Sequence, residues 1–120
     1  MRRKSVSEEL GAEDLKLVTL ARGARARIGA ARGAAVRDET GRTYAAADVS
    51  LASLSISALA LAVAQAAAAG ARGAEAAVVV ADAPSDDEGR RALADLGGPD
   101  VIVHLVGPDG VVVSTVTAGA

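Results

Sequence analysis

Apolar side chains near the start of the chain recur at the spacing of an amphipathic helix. The pattern begins at Leu10, continues through Ala21 and fades around Gly23. Ser5 or Ser7 stands where a helix-capping residue belongs, and acidic residues follow, as suits the positive end of a helix. The spacing therefore predicts a first helix that ends near Gly23.

Two short strands are predicted next, at residues 33–37 and 42–46. The four residues between them, Asp38-Glu39-Thr40-Gly41, have turn chemistry, and Gly41 can adopt a positive φ. We therefore expect these strands to form a β-hairpin.

A stretch without a charged residue, from Leu51 to Ala69, dominates the middle of the chain. It is long enough to cross a bilayer, but its serines, Gln65 and its alanine-rich second half favour a buried core helix. We expect that helix to run from about Ser53 to Ala69 and to end at Gly70. Its large apolar side chains point in several directions, so one small sheet cannot cover them all. This pattern predicts a homo-oligomer, a dimer or a tetramer.

The second half of the chain predicts three further strands and one helix. The strands are rich in valine, and three adjacent carboxylates stand at the start of the helix, where they suit its positive end. These elements are a strand at 76–81, a helix at 86–96, and strands at 101–106 and 111–117.

The complete order of elements, α-β-β-α-β-α-β-β, predicts an α/β fold with one mixed five-stranded sheet flanked by helices. Residues 1–120 are long enough for one domain and too few for two. We expect residues 1–6 and 118–120 to be loose.

Composition narrows the chemistry that the chain can support. With 13 basic and 15 acidic residues the formal net charge is -2, and Tyr44 is the one aromatic residue, so nucleic-acid binding is not expected. The chain has no cysteine and one histidine, which excludes disulfides, thiolate zinc sites and two-histidine metal sites.

The basic start, Met1-Arg2-Arg3-Lys4, lacks the apolar stretch of a signal peptide. We expect a cytoplasmic protein that does not enter membranes.

Four short motifs occur in order: Arg-Gly-Ala-Ala-Val at 32–36, Thr-Gly-Arg-Thr-Tyr at 40–44, Ser57-Ala58-Leu59, and Gly-Arg-Arg-Ala-Leu at 89–93. Together they resemble the small zinc-dependent cytidine deaminases. The corresponding motifs of that family are Val-Gly-Ala-Ala-Leu, Asp-Gly-x-x-Tyr, Cys-Ala-Glu and Cys-Arg-Gln-x-Leu. The resemblance covers about residues 15–116 and implies the three-layer cytidine deaminase-like fold.

The resemblance also implies a catalytic site, and this chain departs from it at each essential position. In the family, three Cys or His ligands hold a zinc ion that activates water, and a glutamate carries protons during deamination. The ligand positions fall on Ser57, Asp86 and Gly89, and the glutamate falls on Leu59. A hydroxyl, one carboxylate and a bare glycine do not form a tetrahedral zinc site, and leucine carries no proton. We therefore predict that zinc is absent and that no cofactor is bound.

The substrate pocket implied by the resemblance is altered as well. The aromatic residue of the family's Phe-x-Val-Gly segment falls on Ala30. The Asn-x-Glu pair that holds the ribose aligns with Asp48 and Ser50, at the cost of a two-residue deletion before the helix. Asp48 and Ser50 are thus the candidate substrate-binding residues.

Other side chains that could bind a ligand or take part in catalysis fit ordinary structural roles. Without a cysteine or a second histidine beside it, we interpret His104 as a strand residue that faces solvent or binds a neighbour, not as a metal ligand or general base. Asp86, Asp87 and Glu88 splay around a helix start instead of converging on a cation. The basic residues of the first quarter are expected to form a solvated or salt-bridged face. These are Arg22, Arg25, Arg27 and Arg32.

The start of the predicted central helix is a further candidate site. Ser53 or Ser55 could cap this helix, and its free N–H groups could bind a small anion if the pocket survives. Ser57 has no base nearby in the sequence, so we expect its hydroxyl to bond to backbone or water and not to act as a nucleophile.

Three functions are compatible with these observations. The first is a catalytically inactive cytidine deaminase-like protein, a pseudoenzyme that acts as a binding or assembly partner of an unidentified protein. The second is a deaminase-type hydrolase that uses unrecognised residues, and the third is a nucleoside-binding sensor. The missing zinc ligands favour the first and third, and the altered pocket favours the first.

Overall fold

The computed structural model describes residues 10–83 and 87–119 of the chain. Three helices and seven strands occur in these ranges. In chain order they are α1 (Ala12–Ile28), β1 (Arg32–Asp38), β2 (Thr43–Ala47), β3 (Val49–Leu51), β4 (Leu54–Ile56), α2 (Ala58–Ala68), β5 (Ala74–Ala81), α3 (Gly89–Gly97), β6 (Ile102–Val106) and β7 (Val112–Thr117).

Five of the strands form one mixed sheet in the order β2-β1-β5-β6-β7. The β5–β6 pair is parallel and the other three pairs are antiparallel. β5 lies at the centre, and its run of six buried residues ends at Ala81, as expected of a strand covered on both faces. The predicted mixed five-stranded sheet flanked by helices is confirmed.

Helices cover both faces of the sheet, which gives three layers. α1 buries Leu17 and Val18 against one face, together with Val78 of β5. α2 and α3 bury Leu59 and Leu93 against the opposite face. Successive residues of a strand point to opposite faces, so the apolar run of β5 serves both cores.

The predicted β1–β2 hairpin is confirmed, and one carboxylate organises its turn. Gly41 has a φ of 89°, as the turn requires. The buried Asp38 accepts hydrogen bonds from the Thr40 hydroxyl at 2.7 Å and the Tyr44 hydroxyl at 2.8 Å, and from the backbone N–H of Arg42 at 3.0 Å. The hydrogen bond from Thr40 is the largest cause of a lowered Asp38 pKa, and the other donors add to it. Together they outweigh the opposing effect of burial and lower the pKa to about 2.

The first helix is longer than the sequence pattern predicted. It continues through Gly23 to Ile28 and ends at Gly29, whose φ is 64°. An added Cβ at Gly23 would meet no atom within 4 Å, so this glycine lies on the open side of the helix. Tertiary packing of the buried side of α1 thus extends the helix beyond a residue of low helix propensity. The predicted caps Ser5 and Ser7 lie outside the described residues.

The expected helix from Ser53 to Ala69 was wrong in its first part. β3 and β4 form a separate two-stranded ribbon there, and α2 begins only at Ala58. Leu54, Ser55 and Ile56 alternate apolar and polar side chains, which is a strand pattern that the uncharged composition obscured. Within the described ranges, no helix is long and apolar enough to cross a membrane.

Candidate functional site

The candidate site lies where the N-termini of α2 and α3 meet. Ser57 is the N-cap of α2, and its Oγ accepts a hydrogen bond from the N–H of Ala60 at 3.2 Å. Gly89 opens α3 so close to α2 that an added Cβ would lie 2.3 Å from the Ala60 nitrogen and 2.7 Å from the carbonyl carbon of Leu59. The fold therefore brings Ser57, Leu59 and Gly89 together, whereas Asp86 lies outside the described residues.

Asp87 occupies the space between the two helix starts, a role that the sequence pattern, which placed it only at the start of a helix, did not predict. Its side chain is fully buried. Its Oδ1 accepts hydrogen bonds from the Ser57 hydroxyl at 2.5 Å and the Gly89 N–H at 2.7 Å, while its Oδ2 accepts the Leu59 N–H at 3.3 Å. The sequence contained one usable signal, an aspartate two positions before the glycine that opens a helix, because aspartate often accepts a hydrogen bond from the N–H two residues on.

A second carboxylate and one guanidinium complete the network. Arg32 donates from Nε to Asp48 Oδ2 at 3.1 Å, and its terminal nitrogen lies 3.5 Å from Asp87 Oδ2. The other oxygen of Asp48 accepts the N–H of Ala58 at 2.7 Å. Burial opposes the charge on Arg32, but the hydrogen bond to Asp48 and the nearby charge of Asp87 outweigh it and raise the pKa of Arg32 above its ordinary value.

The N–H groups at the start of α2 are therefore all engaged by side chains of the protein itself. Ala58 donates to Asp48, Leu59 donates to Asp87, and Ala60 donates to Ser57. None of these three N–H groups is left for the small anion that could have bound here. The suggested cap at Ser53 or Ser55 was wrong, because the helix starts later in the chain. Two carboxylates already supply the negative charge that such a terminus attracts.

The predicted substrate pair is divided between two environments. Asp48 is engaged with Arg32 and α2, as described above. Ser50 lies exposed on β3, where it pairs with Ser55 of β4. Within the described ranges, no group of three or more His, Cys, Asp or Glu residues is arranged to hold a metal ion.

His104 lies on the opposite face of the sheet and is bonded to neighbours, as interpreted from the sequence. It is 7 % exposed. Its Nδ1 is 3.0 Å from the Thr115 hydroxyl, and its Nε2 is 3.1 Å from Asp14 Oδ2 on α1. Sequence spacing could not indicate these partners, because Asp14 is 90 positions away along the chain.

The arginines of the first quarter mostly have protein partners. Arg25 pairs with Asp82 at 3.0 Å, and Arg22 donates to the carbonyl of Pro108 at 3.0 Å. With the ion pair between Arg32 and Asp48, these contacts agree with the predicted solvated or salt-bridged surface.

Comparisons with known proteins give a consistent result. The model of the cytidine deaminase-like protein family matches residues 10–110 of the chain. A search of curated protein sequences found no match to the chain. Among solved structures, cytidine deaminase from Burkholderia pseudomallei is 28% identical with a TM-score of 0.76, and the match covers 87% of this chain and 91% of that one.

Two mycobacterial structures show the same fold. Cytidine deaminase from Mycobacterium leprae is 22% identical with a TM-score of 0.68, over 91% of this chain and 95% of that one. Cytidine deaminase from Mycobacterium tuberculosis is 22% identical with a TM-score of 0.66, over 78% and 85% of the two chains. These likenesses confirm the fold that the four motifs implied.

Proposed function

Because the chain belongs to the cytidine deaminase-like family, we propose that it is a pseudoenzyme of that family, which keeps the fold, binds no zinc and does not deaminate cytidine. Its role is that of a binding or assembly partner. The observation that carries this proposal is the buried Asp87 carboxylate between Ser57 and Gly89, at the junction where the resemblance implies the metal site.

The residues at this junction do not fit a zinc ion. The Ser57 hydroxyl donates its proton to Asp87 and accepts the Ala60 N–H, so its oxygen is already engaged on two sides. Gly89 has no side chain, and the backbone of α2 fills the place that a Cβ would need. Zinc sites in proteins need three or four nitrogen, sulfur or carboxylate ligands, whereas the described residues of this junction offer two carboxylates, Asp87 and Asp48, which already accept hydrogen bonds from the chain.

Proton transfer and nucleoside binding lack support for similar reasons. Leu59 is fully buried and apolar where the family's glutamate would act, so it cannot move a proton to the leaving amine. Both oxygens of Asp48 already accept a hydrogen bond, one from Arg32 and one from the N–H of Ala58, so a ribose hydroxyl would have to share them. These two engagements favour the pseudoenzyme over the nucleoside sensor.

The direct test measures zinc content and uridine production from cytidine on one purified sample. We expect far less than one zinc per subunit and no turnover, with or without added zinc. The Burkholderia pseudomallei enzyme, assayed in parallel, serves as the positive control. Stoichiometric zinc together with uridine production would overturn the proposal. Thermal-shift measurements with nucleosides separate the sensor, which is stabilised by its ligand, from the pseudoenzyme, which is not.

We also propose that the protein is a homo-oligomer, a dimer or a tetramer. The ribbon formed by β3 and β4 supports this proposal, because Leu51 and Leu54 face each other across it and are 66 % and 52 % exposed. A two-stranded ribbon is marginally stable alone and gains stability when its apolar side packs against a further surface. A second copy provides that surface in a closed, symmetric assembly.

Light scattering coupled to size-exclusion chromatography tests the assembly at micromolar concentration. We expect a dimer or tetramer for the natural chain and a smaller species for the Leu51→Ser, Leu54→Ser variant. Ile28→Ser is the matched control, since Ile28 is 65 % exposed at the end of α1, outside the ribbon. A monomeric natural chain would contradict the proposal, and an oligomer that survives the double substitution would exclude the ribbon as its interface.

A further inference from the structure

A chain of five polar side chains crosses the α1 face of the sheet. Glu75 pairs with Arg37 at 2.8 Å, Arg37 pairs with Asp14 at 3.0 Å, and Asp14 contacts His104 at 3.1 Å. His104 in turn contacts the Thr115 hydroxyl at 3.0 Å. The chain therefore runs from β5 through α1 to the hydroxyl of Thr115, an exposed residue on the edge strand β7.

The partners of His104 determine which ring nitrogen carries the proton in the neutral imidazole. Burial raises the pKa of Asp14, but hydrogen bonds from Arg37 and His104 outweigh this effect and hold the pKa below its ordinary value. An ionised carboxylate only accepts hydrogen bonds, so Nε2 carries the proton and donates to Asp14. Nδ1 then presents its lone pair to Thr115, and the hydroxyl donates to it. This is the relation of nucleophile, base and orienting carboxylate that activates a hydroxyl.

We propose that Thr115 is a histidine-activated nucleophile that accepts acyl groups from activated esters. Thr115 is exposed, so an ester can reach it, while His104 is buried and held at both nitrogens. Ile102 lies two residues before His104 on the same face of β6 and is 45 % exposed, which offers an apolar contact for a small acyl group. This site lies on the opposite face of the sheet from Asp87 and does not depend on the proposed function.

The acyl transfer is balanced without a cofactor. Thr115 Oγ forms a bond to the ester carbonyl carbon while its proton passes to His104 Nδ1. The bond from that carbon to the leaving oxygen then breaks, and the proton on His104 returns to the departing alcohol or phenol. The products are an acylated Thr115 and the free alcohol. A water molecule activated by the same imidazole hydrolyses the acyl group and restores the hydroxyl.

The experiment uses p-nitrophenyl acetate with the full chain, and it follows release of nitrophenol and the position of the acetyl group by peptide mass mapping. We expect acetyl at Thr115 and its loss in Thr115→Val, which keeps the shape of the side chain without the hydroxyl. His104→Gln should slow the labelling about a hundredfold, the low end of what a general base contributes. Ser114→Ala is the matched control, because it removes the neighbouring exposed hydroxyl and should leave labelling unchanged.

Asp14→Asn separates positioning from simple structural support. The amide oxygen of Asn is expected to face Arg37, so its NH₂ group faces Nε2 and moves the imidazole proton to Nδ1, where it blocks acceptance from Thr115. Labelling should fall to the level of His104→Gln while the circular dichroism spectrum stays that of the natural chain. Acetylation confined to lysines or the N-terminus, or equal labelling of Thr115→Val, would overturn the proposal. Thr115→Val decides the question even where a His104 or Asp14 variant does not fold, because its site is exposed.

Discussion

Removing the Asp87 side chain should destabilise the protein more than any other change at the junction of α2 and α3. The substitution is Asp87→Ala. It deletes the acceptor of the Leu59 and Gly89 N–H groups, both of which are buried, and it breaks the contact with the Ser57 hydroxyl. All three donors belong to residues that are buried in the folded protein.

The magnitude follows from those orphaned donors. Each buried N–H group left without an acceptor costs about 1–3 kcal/mol. The Ser57 hydroxyl can rotate to another acceptor, and Arg32 keeps Asp48 and some solvent, so these two groups add little. The two orphaned N–H groups together cost about 2–6 kcal/mol, a large part of the roughly 5–15 kcal/mol that stabilises a domain. We expect a loss in this range for Asp87→Ala.

Urea unfolding followed by circular dichroism measures the loss. Asp87→Asn keeps the volume and one acceptor oxygen, so its loss should be about 1–3 kcal/mol, because the new NH₂ group opposes the N–H of Leu59. Glu88→Ala, at the exposed neighbouring residue, is the control and should change stability by less than about 0.5 kcal/mol. A chelator should leave the midpoint of the natural chain unchanged. If Asp87→Ala matches the control, or if the chelator unfolds the natural chain, then the carboxylate does not hold this junction.

Three further predictions follow from local geometry and use the same unfolding assay. Gly23→Ala should stabilise the chain by about 0.5–1 kcal/mol, since the new methyl group lies in open space on a helix. A lower free energy of unfolding would show that position 23 is packed against a neighbour. Gly89→Ala should cost about 1–3 kcal/mol by overpacking. Gly73→Ala is the control and should be near neutral, because its Cβ makes an ordinary 3.5 Å contact. Equal losses of stability in Gly89→Ala and Gly73→Ala would refute the close approach of Gly89 to α2. The pKa of Asp38 is lowered from 3.8 to about 2, chiefly by Thr40, so its contribution is complete above pH 3.8 and is lost as the pH falls through about 2; a pH dependence in that interval that is unchanged in Asp38→Asn would contradict this assignment.

The fold was predictable because the hydrophobic pattern and the turn residues agree. The β5 run of valines has the composition of a strand buried on both faces, and Gly41 stands where the β1–β2 turn needs a positive φ. Both signals lie in neighbouring residues, so these elements can be predicted without knowing which distant residues they contact. The same property explains the error at β3 and β4. A three-residue strand is too short to establish a period, and the adjoining alanine-rich helix made the whole uncharged stretch read as one element.

The candidate site was only half predictable, for a reason that lies in its chemistry. Family motifs indicated Ser57, Leu59 and Gly89, which the fold does bring together, but a resemblance points only to positions where the family has a functional residue. Asp87 has its effect through contacts with residues 28 and 30 positions away, and its sequence neighbours are also acidic. Sequence pattern alone assigns such a run to the helix dipole, because it cannot distinguish the one carboxylate that is buried.

The junction of α2 and α3 should likewise be interpreted from the contacts of its residues and not only from their positions in the family motifs. A lost ligand at Ser57 or Gly89 would by itself leave a cavity and free helix N–H groups, both of which suit a metal or an anion. The structure instead joins the two helix starts through Asp87, Asp48 and Arg32, so the positive ends of the helices are neutralised from within the chain. A site that had merely lost its catalytic residues would need only those residues restored. Here a cysteine at position 89 would also have to displace the backbone of α2, so substitution at the family positions alone should not rebuild a zinc site.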